Sequence, residues 1–127
     1  MISVLIRSHN DILYIRQTVE ALLEQEIDDA IEIISCDDHS TDGTAEFLAG
    51  VPHIRRIDPP EGKYVPGKTL NYMVGQARGE YIVFNNISFG SSRIIVPIIQ
   101  EFRKNFAEWW LVIIDCFEFF VIFPSRL

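Results

Sequence analysis

The sequence is short of positive charge and of cysteine. Its 127 residues include 11 lysines and arginines against 18 aspartates and glutamates, which gives a formal net charge of −7. Nucleic-acid-binding proteins need a basic face, so this balance argues against a nucleic-acid partner. The two cysteines, Cys36 and Cys116, lie in separate apolar segments. They indicate buried thiols in a reducing compartment rather than a disulfide framework or a metal site.

A leader sequence and a membrane span are also missing from the pattern. The N-terminal segment meets a charge at Arg7, too early for the apolar core of a signal peptide. The most apolar segment, residues 109–123, is interrupted by Asp115 and Glu118 and is too short and too charged to cross a bilayer. We therefore expect a cytoplasmic protein without a transmembrane segment. Its length predicts one domain, residues 1–127.

The sequence does contain short apolar segments that alternate with helix patterns. The expected strands are residues 2–6, 31–36, 53–57, 81–84 and 110–114. The expected helices are residues 12–23, capped by Asn10 or Asp11, then 44–48, a helix that begins near Gly67 and ends near Gly79 at its C′ position, and 94–106. This alternation predicts an α/β domain with right-handed crossovers, and two arginines place residues 53–57 near a sheet edge.

The most informative segment is residues 32–44, where an apolar strand ends in two adjacent carboxylates, Asp37 and Asp38. Helix-starting residues follow, from Ser40 to Gly43, whose side chains suit the unpaired N–H groups of a first helical turn. In open α/β sheets, ligands bind beyond the carboxyl ends of strands. Acids there suit hydroxyls, ring N–H donors or a cation. For an Asp-Asp pair alone, a solvated strand end is the simpler interpretation.

The longer string Asp-Asp-His-Ser-Thr-Asp-Gly-Thr, residues 37–44, resembles the Asp-Asp-x-Ser-x-Asp-x-Thr signature of family 2 glycosyltransferases. The segment from Gly67 through Asn71 to Ala77-Arg78-Gly79-Glu80-Tyr81 is similar to a second stretch of that family, in a variant found in a rhamnosyltransferase-like subgroup. Ser8-His9-Asn10 matches a third motif in part. The resemblance covers residues 2–88 well and becomes thin beyond residue 93. It implies a GT-A (Rossmann-like) fold with a mostly parallel sheet flanked by helices, incomplete at the C-terminus.

The resemblance implies that the chain binds a nucleotide diphosphate sugar, which a complete enzyme transfers to an acceptor hydroxyl. The residues implied in donor binding are Arg7, His9, Asn10, Asp37, Asp38, Lys68, Asn71, Asn86 and Ser88. In relatives, the second aspartate of the pair contacts the base of the donor. Asp38 is therefore a stronger candidate for donor binding than Asp37. Each of three residues has a simpler interpretation. His9 could equally be a loop residue without a ligand, and Lys68 could be a solvated surface lysine. Asn71 could make only a local hydrogen bond at the start of its helix.

One motif of the family is absent. Most members follow the fourth strand with an Asp-x-Asp or Asn-x-Asp motif that holds a metal, whereas this chain has Asn86-Ile87-Ser88. An amide and a hydroxyl are poor ligands for Mg²⁺ or Mn²⁺, so we expect no tightly bound metal, although metal-dependent transfer is not excluded. No catalytic base can be assigned, since Asp115 and Glu118 lie in an apolar context.

Two other functions fit parts of the sequence. The chain could be a catalytically inactive module that forms a homo-oligomer through its apolar C-terminal segment. Residues 62–69 also fit the bare P-loop pattern. They follow a Pro-Pro loop rather than a buried strand, however, and Pro66 removes one of the amides that a phosphate cradle would use. The donor sugar, the acceptor and the stereochemical outcome are not specified by any motif.

Overall fold

The computed structural model describes residues 1–25 and 29–85, and the strand formed by residues 121–124. In chain order the elements are β1 (Ile2–Ser8), α1 (Ile12–Leu23), β2 (Ile31–Asp37), α2 (Thr44–Ala49), β3 (Ile54–Ile57), α3 (Pro66–Gln76), β4 (Tyr81–Asn85) and β5 (Val121–Pro124). They form one sheet in the order β3-β2-β1-β4-β5, with β1 to β4 parallel and β5 antiparallel to β4. The predicted α/β class and mostly parallel sheet are confirmed.

The central strands are buried on both faces, which explains why their sequences are mostly apolar rather than strictly alternating. On one face, Val4 of β1 belongs to a core with Ile15 of α1 and Leu48 of α2. On the other face, Leu5 packs in a second core with Met73 of α3. The helices therefore cover both faces and leave the carboxyl ends of the parallel strands open to loops.

Three strands extend further than the sequence predicted, each by polar residues. β1 ends at Ser8, β2 at Asp37 and β4 at Asn85, because these residues still pair with a neighbouring strand. Ser8 lies opposite Asp37, and Asn85 lies opposite Ile6. The edge position predicted for the two-arginine strand is confirmed in β3, although that strand begins at Ile54 rather than His53.

The C-terminal part differs from the prediction where the structure describes it. The apolar tail forms β5, which pairs with β4, and no strand had been predicted there. The predicted helix over residues 94–106 and strand over residues 110–114 lie outside the described residues. Among the described ranges, no helix is long and apolar enough to cross a bilayer.

The predicted role of Gly79 was wrong. α3 ends at Gln76 with Ala77 at its C-cap, so Gly79 lies beyond the C′ position. Its N–H donates to the hydroxyl of Ser3 at 2.8 Å, and its Cα lies against the backbone of β1. A close approach of two chain segments, not a left-handed helix end, requires glycine here.

Glu32 joins three elements on the α3 side of the sheet. Its carboxylate accepts hydrogen bonds from the Ser3 hydroxyl at 2.6 Å and from the Arg78 N–H, and it lies 3.4 Å from the Arg55 guanidinium. Burial raises the pKa of the Glu32 carboxyl, but these hydrogen bonds and the Arg55 charge together outweigh burial and hold that pKa below its usual value. The ionised form is therefore favoured by folding.

We expect Glu32→Gln to lower the free energy of unfolding by about 1–2 kcal/mol at pH 7, because an amide cannot accept all of these hydrogen bonds. The folded pKa is below the unfolded pKa, so the contribution of Glu32 is complete above the unfolded value and is lost as the pH falls through the folded one. Urea unfolding at pH 7 and at a pH below about 4 should therefore show a smaller difference between variant and wild type in acid. Glu20→Gln, on the exposed side of α1, is the control. A difference for Glu32→Gln that does not change with pH would contradict this account.

Candidate functional site

The loops that follow β1 and β2 are joined by Asp37. One of its carboxylate oxygens accepts from the hydroxyls of Ser8 at 2.7 Å and Ser40 at 2.6 Å, and the other accepts from the Ser40 N–H at 2.9 Å. The sequence implied that Asp37 takes part in donor binding in support of Asp38. In the structure, both of its carboxylate oxygens accept hydrogen bonds from Ser8 or Ser40.

Asn10 makes a second link between the same loops. It has a positive φ of 53°, which asparagine tolerates better than most residues. Its N–H donates to the Ser40 hydroxyl and its side-chain oxygen accepts from the Thr41 N–H, both at 2.8 Å. Asn10 is therefore held in place by residues that lie some thirty positions along the chain.

Asp42 and Thr44 connect the starts of α1 and α2. Asp11 occupies the N-cap position of α1, but its carboxylate accepts from the His9 N–H, so the predicted side-chain cap was wrong. The Ile12 N–H donates instead to one oxygen of Asp42, whose other oxygen accepts from the N–H and hydroxyl of Thr44. The Thr44 hydroxyl in turn accepts from the Asp11 N–H. Partial desolvation raises the pKa of Asp42, but these hydrogen bonds outweigh it and lower that pKa.

Asp38 lies at the meeting point of the two loops. Its N–H donates to the Ser8 carbonyl at 2.8 Å, and its own carbonyl accepts from Nδ1 of His9. Its carboxylate lies 3.2 Å from Nδ1 of His39, a residue with an 84% exposed side chain. The backbone of Asp38 is thus fixed, and its side chain, which is 21% exposed, lines a cavity.

A cavity of about 410 Å³ opens beside Asp38, and we call it the donor cavity. Its lining comes from the end of β2, the loop after β3 and the first turn of α3: Asp38, His39, Asp58, Pro59, Pro60, Glu61, Gly62, Lys63, Tyr64, Val65, Lys68 and Thr69. A neighbouring cavity of about 370 Å³ shares His39, Asp58 and Pro59 and continues towards α2. The donor cavity therefore combines carboxylates, two ammonium groups, the imidazole of His39 and the phenol ring of Tyr64.

Lys68 and Arg7 supply positive charge near this cavity. Lys68 donates from Nζ to the Glu61 carbonyl at 2.9 Å, and this neutral acceptor does not compensate the charge of the ammonium. The guanidinium of Arg7 lies 5.8 Å from the ring centroid of Tyr64, which is itself a lining residue. The P-loop interpretation gains no support, since residues 58–61 separate the glycine at 62 from β3, an edge strand.

Of the nine residues that the sequence singled out, two line the donor cavity. Asp38 and Lys68 line the donor cavity and Arg7 lies behind its wall, whereas Asn71 is exposed on α3 and is not among the lining residues. Asn86 and Ser88 lie outside the described residues. Just before them, Asn85 is 4% exposed, and its side-chain nitrogen has no hydrogen-bond partner within the described ranges.

Sequence reasoning missed the loop after β3. Residues 58–65 provide most of the cavity wall, including Asp58 and Tyr64. The signal was present, because this loop follows the carboxyl end of a parallel strand just as the loops after β1 and β2 do. Its proline- and glycine-rich composition predicts a loop and does not by itself indicate a place at the same edge of the sheet as the other two loops.

The field at the end of β2 is negative. Cys36 is a buried free thiol, as predicted, while Cys116 lies outside the described residues. Burial first, and then the nearby aspartates at the ends of β2 and β3, raise the pKa of the Cys36 thiol to about 11. Within residues 1–25 and 29–85, no group of three or more histidine, cysteine, aspartate or glutamate side chains is arranged to hold a metal ion.

Solved structures with this architecture share its fold. TarS from S. aureus in complex with UDP matches with a TM-score of 0.67 and 21% identity, covering 81% of this chain and 32% of that one. Glucosyl-3-phosphoglycerate synthase from Mycobacterium tuberculosis, in complex with Mn²⁺, UDP and glucosyl-3-phosphoglycerate, matches with a TM-score of 0.70 and 18% identity, covering 84% and 40%. The GT-A fold expected from the sequence is confirmed.

Sequence comparisons identify the family. Chondroitin synthase of Escherichia coli is 34% identical over 110 residues, which are 83% of this chain and 16% of that protein. The 3-deoxy-D-manno-octulosonic acid transferase of Chlamydia muridarum is 30% identical over 87 residues, 65% of this chain and 20% of that protein. The chain therefore spans a fifth or less of the length of these relatives. The family model of Glycosyl transferase family 2 matches residues 3–86, from β1 to the end of β4, and the chain belongs to that family.

Proposed function

We propose that this domain binds a nucleotide diphosphate sugar in the donor cavity and, within a longer protein, transfers the sugar to an acceptor hydroxyl. The observation that carries the proposal is the placement of Asp38 and Lys68 in one cavity at the carboxyl ends of the parallel strands. That end of an open α/β sheet is where ligands bind.

In this proposal, Asp37 supports the loop and Asp38 recognises the donor. Asp37 accepts three hydrogen bonds from Ser8 and Ser40, which fix the loop. Asp38 keeps its backbone in that network and turns its carboxylate towards the cavity, with the exposed His39 ring as neighbour. A carboxylate in this position accepts hydrogen bonds from the ring N–H of a base or from ribose hydroxyls, and these bonds are strengthened by its charge.

Lys68 is the counterpart for the diphosphate. A chain with a net charge of −7 repels a polyanionic donor at long range, so a local cation must offset the phosphates. The ammonium of Lys68 meets this need, because the carbonyl that fixes its position does not neutralise it. Lys63 adds a second ammonium to the same wall.

In the transfer step, the oxygen of an acceptor hydroxyl forms a bond to the anomeric carbon of the sugar. The bond from that carbon to the diphosphate oxygen breaks, the nucleoside diphosphate leaves with the bonding electrons, and the hydroxyl proton passes to a general base. The described residues do not identify that base. Support for this reaction class comes from family membership rather than from a catalytic group in the cavity.

We also propose that donor binding needs no tightly held divalent ion. The resemblance implies that Asn86 and Ser88 stand where relatives carry metal-binding carboxylates, and an amide and a hydroxyl are poor ligands for Mg²⁺ or Mn²⁺. Three expectations stay predictions. They are the cytoplasmic location, the likeness to the rhamnosyltransferase-like subgroup, and self-association through the apolar C-terminal segment. Residues 86–120, which carry most of that segment, lie outside the described ranges.

Calorimetric titration of UDP-, GDP- and dTDP-sugars tests the site. For the donor that wild type prefers, Asp38→Ala should weaken binding about tenfold or more, because a hydrogen bond to a charged group is worth about 1.5–3 kcal/mol. Glu20→Ala removes the same charge from the exposed side of α1 and should leave affinity within about twofold. Each titration is run with Mn²⁺ and with a chelator, and we expect equal affinities. Equal binding by wild type and Asp38→Ala would remove this site assignment.

A further inference from the structure

Tyr64 is the exposed aromatic ring of the donor cavity. It lines the same wall as Asp38 and Lys68, and 39% of its surface is accessible. A tyrosine ring offers a flat apolar face of a size that suits stacking on a planar heterocycle. Tyr14 and Tyr72 are exposed to a similar extent, so the distinguishing property of Tyr64 is its place in the wall of the cavity.

Arg7 holds this ring from one side. Its guanidinium lies 5.8 Å from the ring centroid, within the range of a cation–π interaction. Arg7 itself belongs to β1 and is paired in register with Cys36 of β2. The ring is thus positioned by a residue on the central strand of the sheet rather than by its own loop.

A second anchor fixes the loop that carries Tyr64. Lys68 Nζ donates to the carbonyl of Glu61 at 2.9 Å and so ties the loop to the first turn of α3. Gly62 follows with a φ of +98°, a conformation that side-chain-bearing residues rarely adopt. With both anchors in place, little conformational entropy remains to be lost when a ligand stacks on Tyr64.

His9 has contacts at both of its ring nitrogens in the structure. The resemblance places it where relatives carry an aromatic residue beside the base, but its Nδ1 contacts the Asp38 carbonyl and its Nε2 lies 3.4 Å from the Asn10 amide nitrogen. It is also not among the residues that line the donor cavity. Its ring belongs to the linkage between the loops after β1 and β2.

We propose that Tyr64 is the surface on which the nucleobase of the donor stacks, and that Arg7 is a positioning residue behind its ring. This inference rests on the proposed function. Asp38 offers a hydrogen-bond acceptor to the polar edge of a base, and Lys68 offers a positive charge to the diphosphate. Neither residue contacts the apolar face of the base. Tyr64, in the wall formed by residues 58–65, supplies a ring that stacks on that face.

Comparison of Tyr64→Leu with Tyr64→Phe tests the stacking. The probes are UMP, UDP and UDP-glucose, with the guanosine and thymidine series in parallel. For the base that wild type binds, Tyr64→Leu should weaken the monophosphate, the diphosphate and the sugar nucleotide by one common factor of about fivefold or more, as expected for loss of base stacking. Tyr64→Phe keeps the ring and should stay within about twofold. A loss confined to the sugar nucleotide would place the ring against the sugar instead and overturn the proposal, as would unchanged binding by Tyr64→Leu.

A double-mutant cycle tests the role of Arg7. If Arg7 acts through the ring, Arg7→Gln weakens binding in wild type but adds nothing in the Tyr64→Leu background. Losses that multiply would show that Arg7 contacts the donor directly and would end its positioning role. Binding abolished by Asp38→Ala but kept by Tyr64→Leu would end this inference alone. A wild-type protein that binds none of the nucleotides would end the proposed function and this inference with it.

Discussion

Gly79→Ala is expected to lower the free energy of unfolding by about 3 kcal/mol or more. A Cβ at this position would lie 2.5 Å from the Ser3 hydroxyl oxygen, 2.6 Å from the Ser3 nitrogen and 2.9 Å from the carbonyl carbon of Ile2. Two of these three atoms are backbone of β1, the central strand, so no side-chain rotation can relieve the overlap. Either β1 or the start of β4 must move, and each is paired with a neighbour in the sheet.

The chain offers a matched control in Gly75→Ala. Gly75 lies on the exposed side of α3, and a Cβ there would meet nothing within 4 Å. Alanine should stabilise this helix by up to about 1 kcal/mol, so the same chemical change has opposite signs at the two sites. Thermal unfolding should show a melting temperature lower by roughly 10 °C or more for Gly79→Ala and slightly higher for Gly75→Ala. A Gly79→Ala protein that melts with wild type would show that β1 and β4 tolerate a wider separation here.

The fold could be predicted because its signals are local. Short β-branched apolar runs, bounded by polar residues and separated by helix patterns, are sufficient to locate β1, β2 and β4 along the chain. The ends of these strands were missed because pairing, not hydrophobicity, sets them. Ser8 continues β1 only because Asp37 lies opposite on β2, and a single strand considered alone carries no sign of that partner.

The sequence indicated that Asp38 is the more important of the two aspartates for donor binding, but it did not indicate which residues hold Asp37. The string of residues 37–44 marks the carboxyl end of a strand before a helix, which is a local property. That Asp37 supports the loop while Asp38 faces the cavity depends on Ser8, which lies 29 residues earlier in the chain. Contacts between residues so far apart in the chain are fixed by the register of β1 against β2. The spacing of residues within one motif does not predict that register.

The roles of individual residues were harder to predict than the location of the strands. Gly79 follows a helix and so suggests a helix end, yet the reason for glycine is the approach of Ser3, which lies 76 positions away. Tyr64 lies in a loop rich in proline and glycine, where an aromatic residue has no periodic pattern to belong to. The role of Gly79 arises from tertiary proximity, and so does the role that we propose for Tyr64.

The second large effect is expected at Thr44. Its side chain is fully buried, and its hydroxyl accepts from the Asp11 N–H at 2.9 Å while donating to Asp42 at 2.6 Å. Thr44→Val keeps the shape but leaves the Asp11 N–H without an acceptor and removes one donor from the Asp42 carboxylate. We expect the free energy of unfolding to fall by about 2–4 kcal/mol, since both an unsatisfied amide and a lost bond to a charged group are costly.

Thr44→Ser separates the hydroxyl from the methyl group in this effect. Serine keeps both hydrogen bonds and loses one buried methyl, so about 1 kcal/mol is expected. Hydrogen exchange gives the local measurement, because the amides of Asp11 and Ile12 should exchange faster in Thr44→Val while amides of β1 lose protection only with global stability. The segment that begins α1 also carries Asn10 and His9, so Thr44→Val should loosen the loop that positions Asp38. If Thr44→Val and Thr44→Ser proved equally stable, with unchanged exchange at Asp11, the hydroxyl would have no role in joining the two loops.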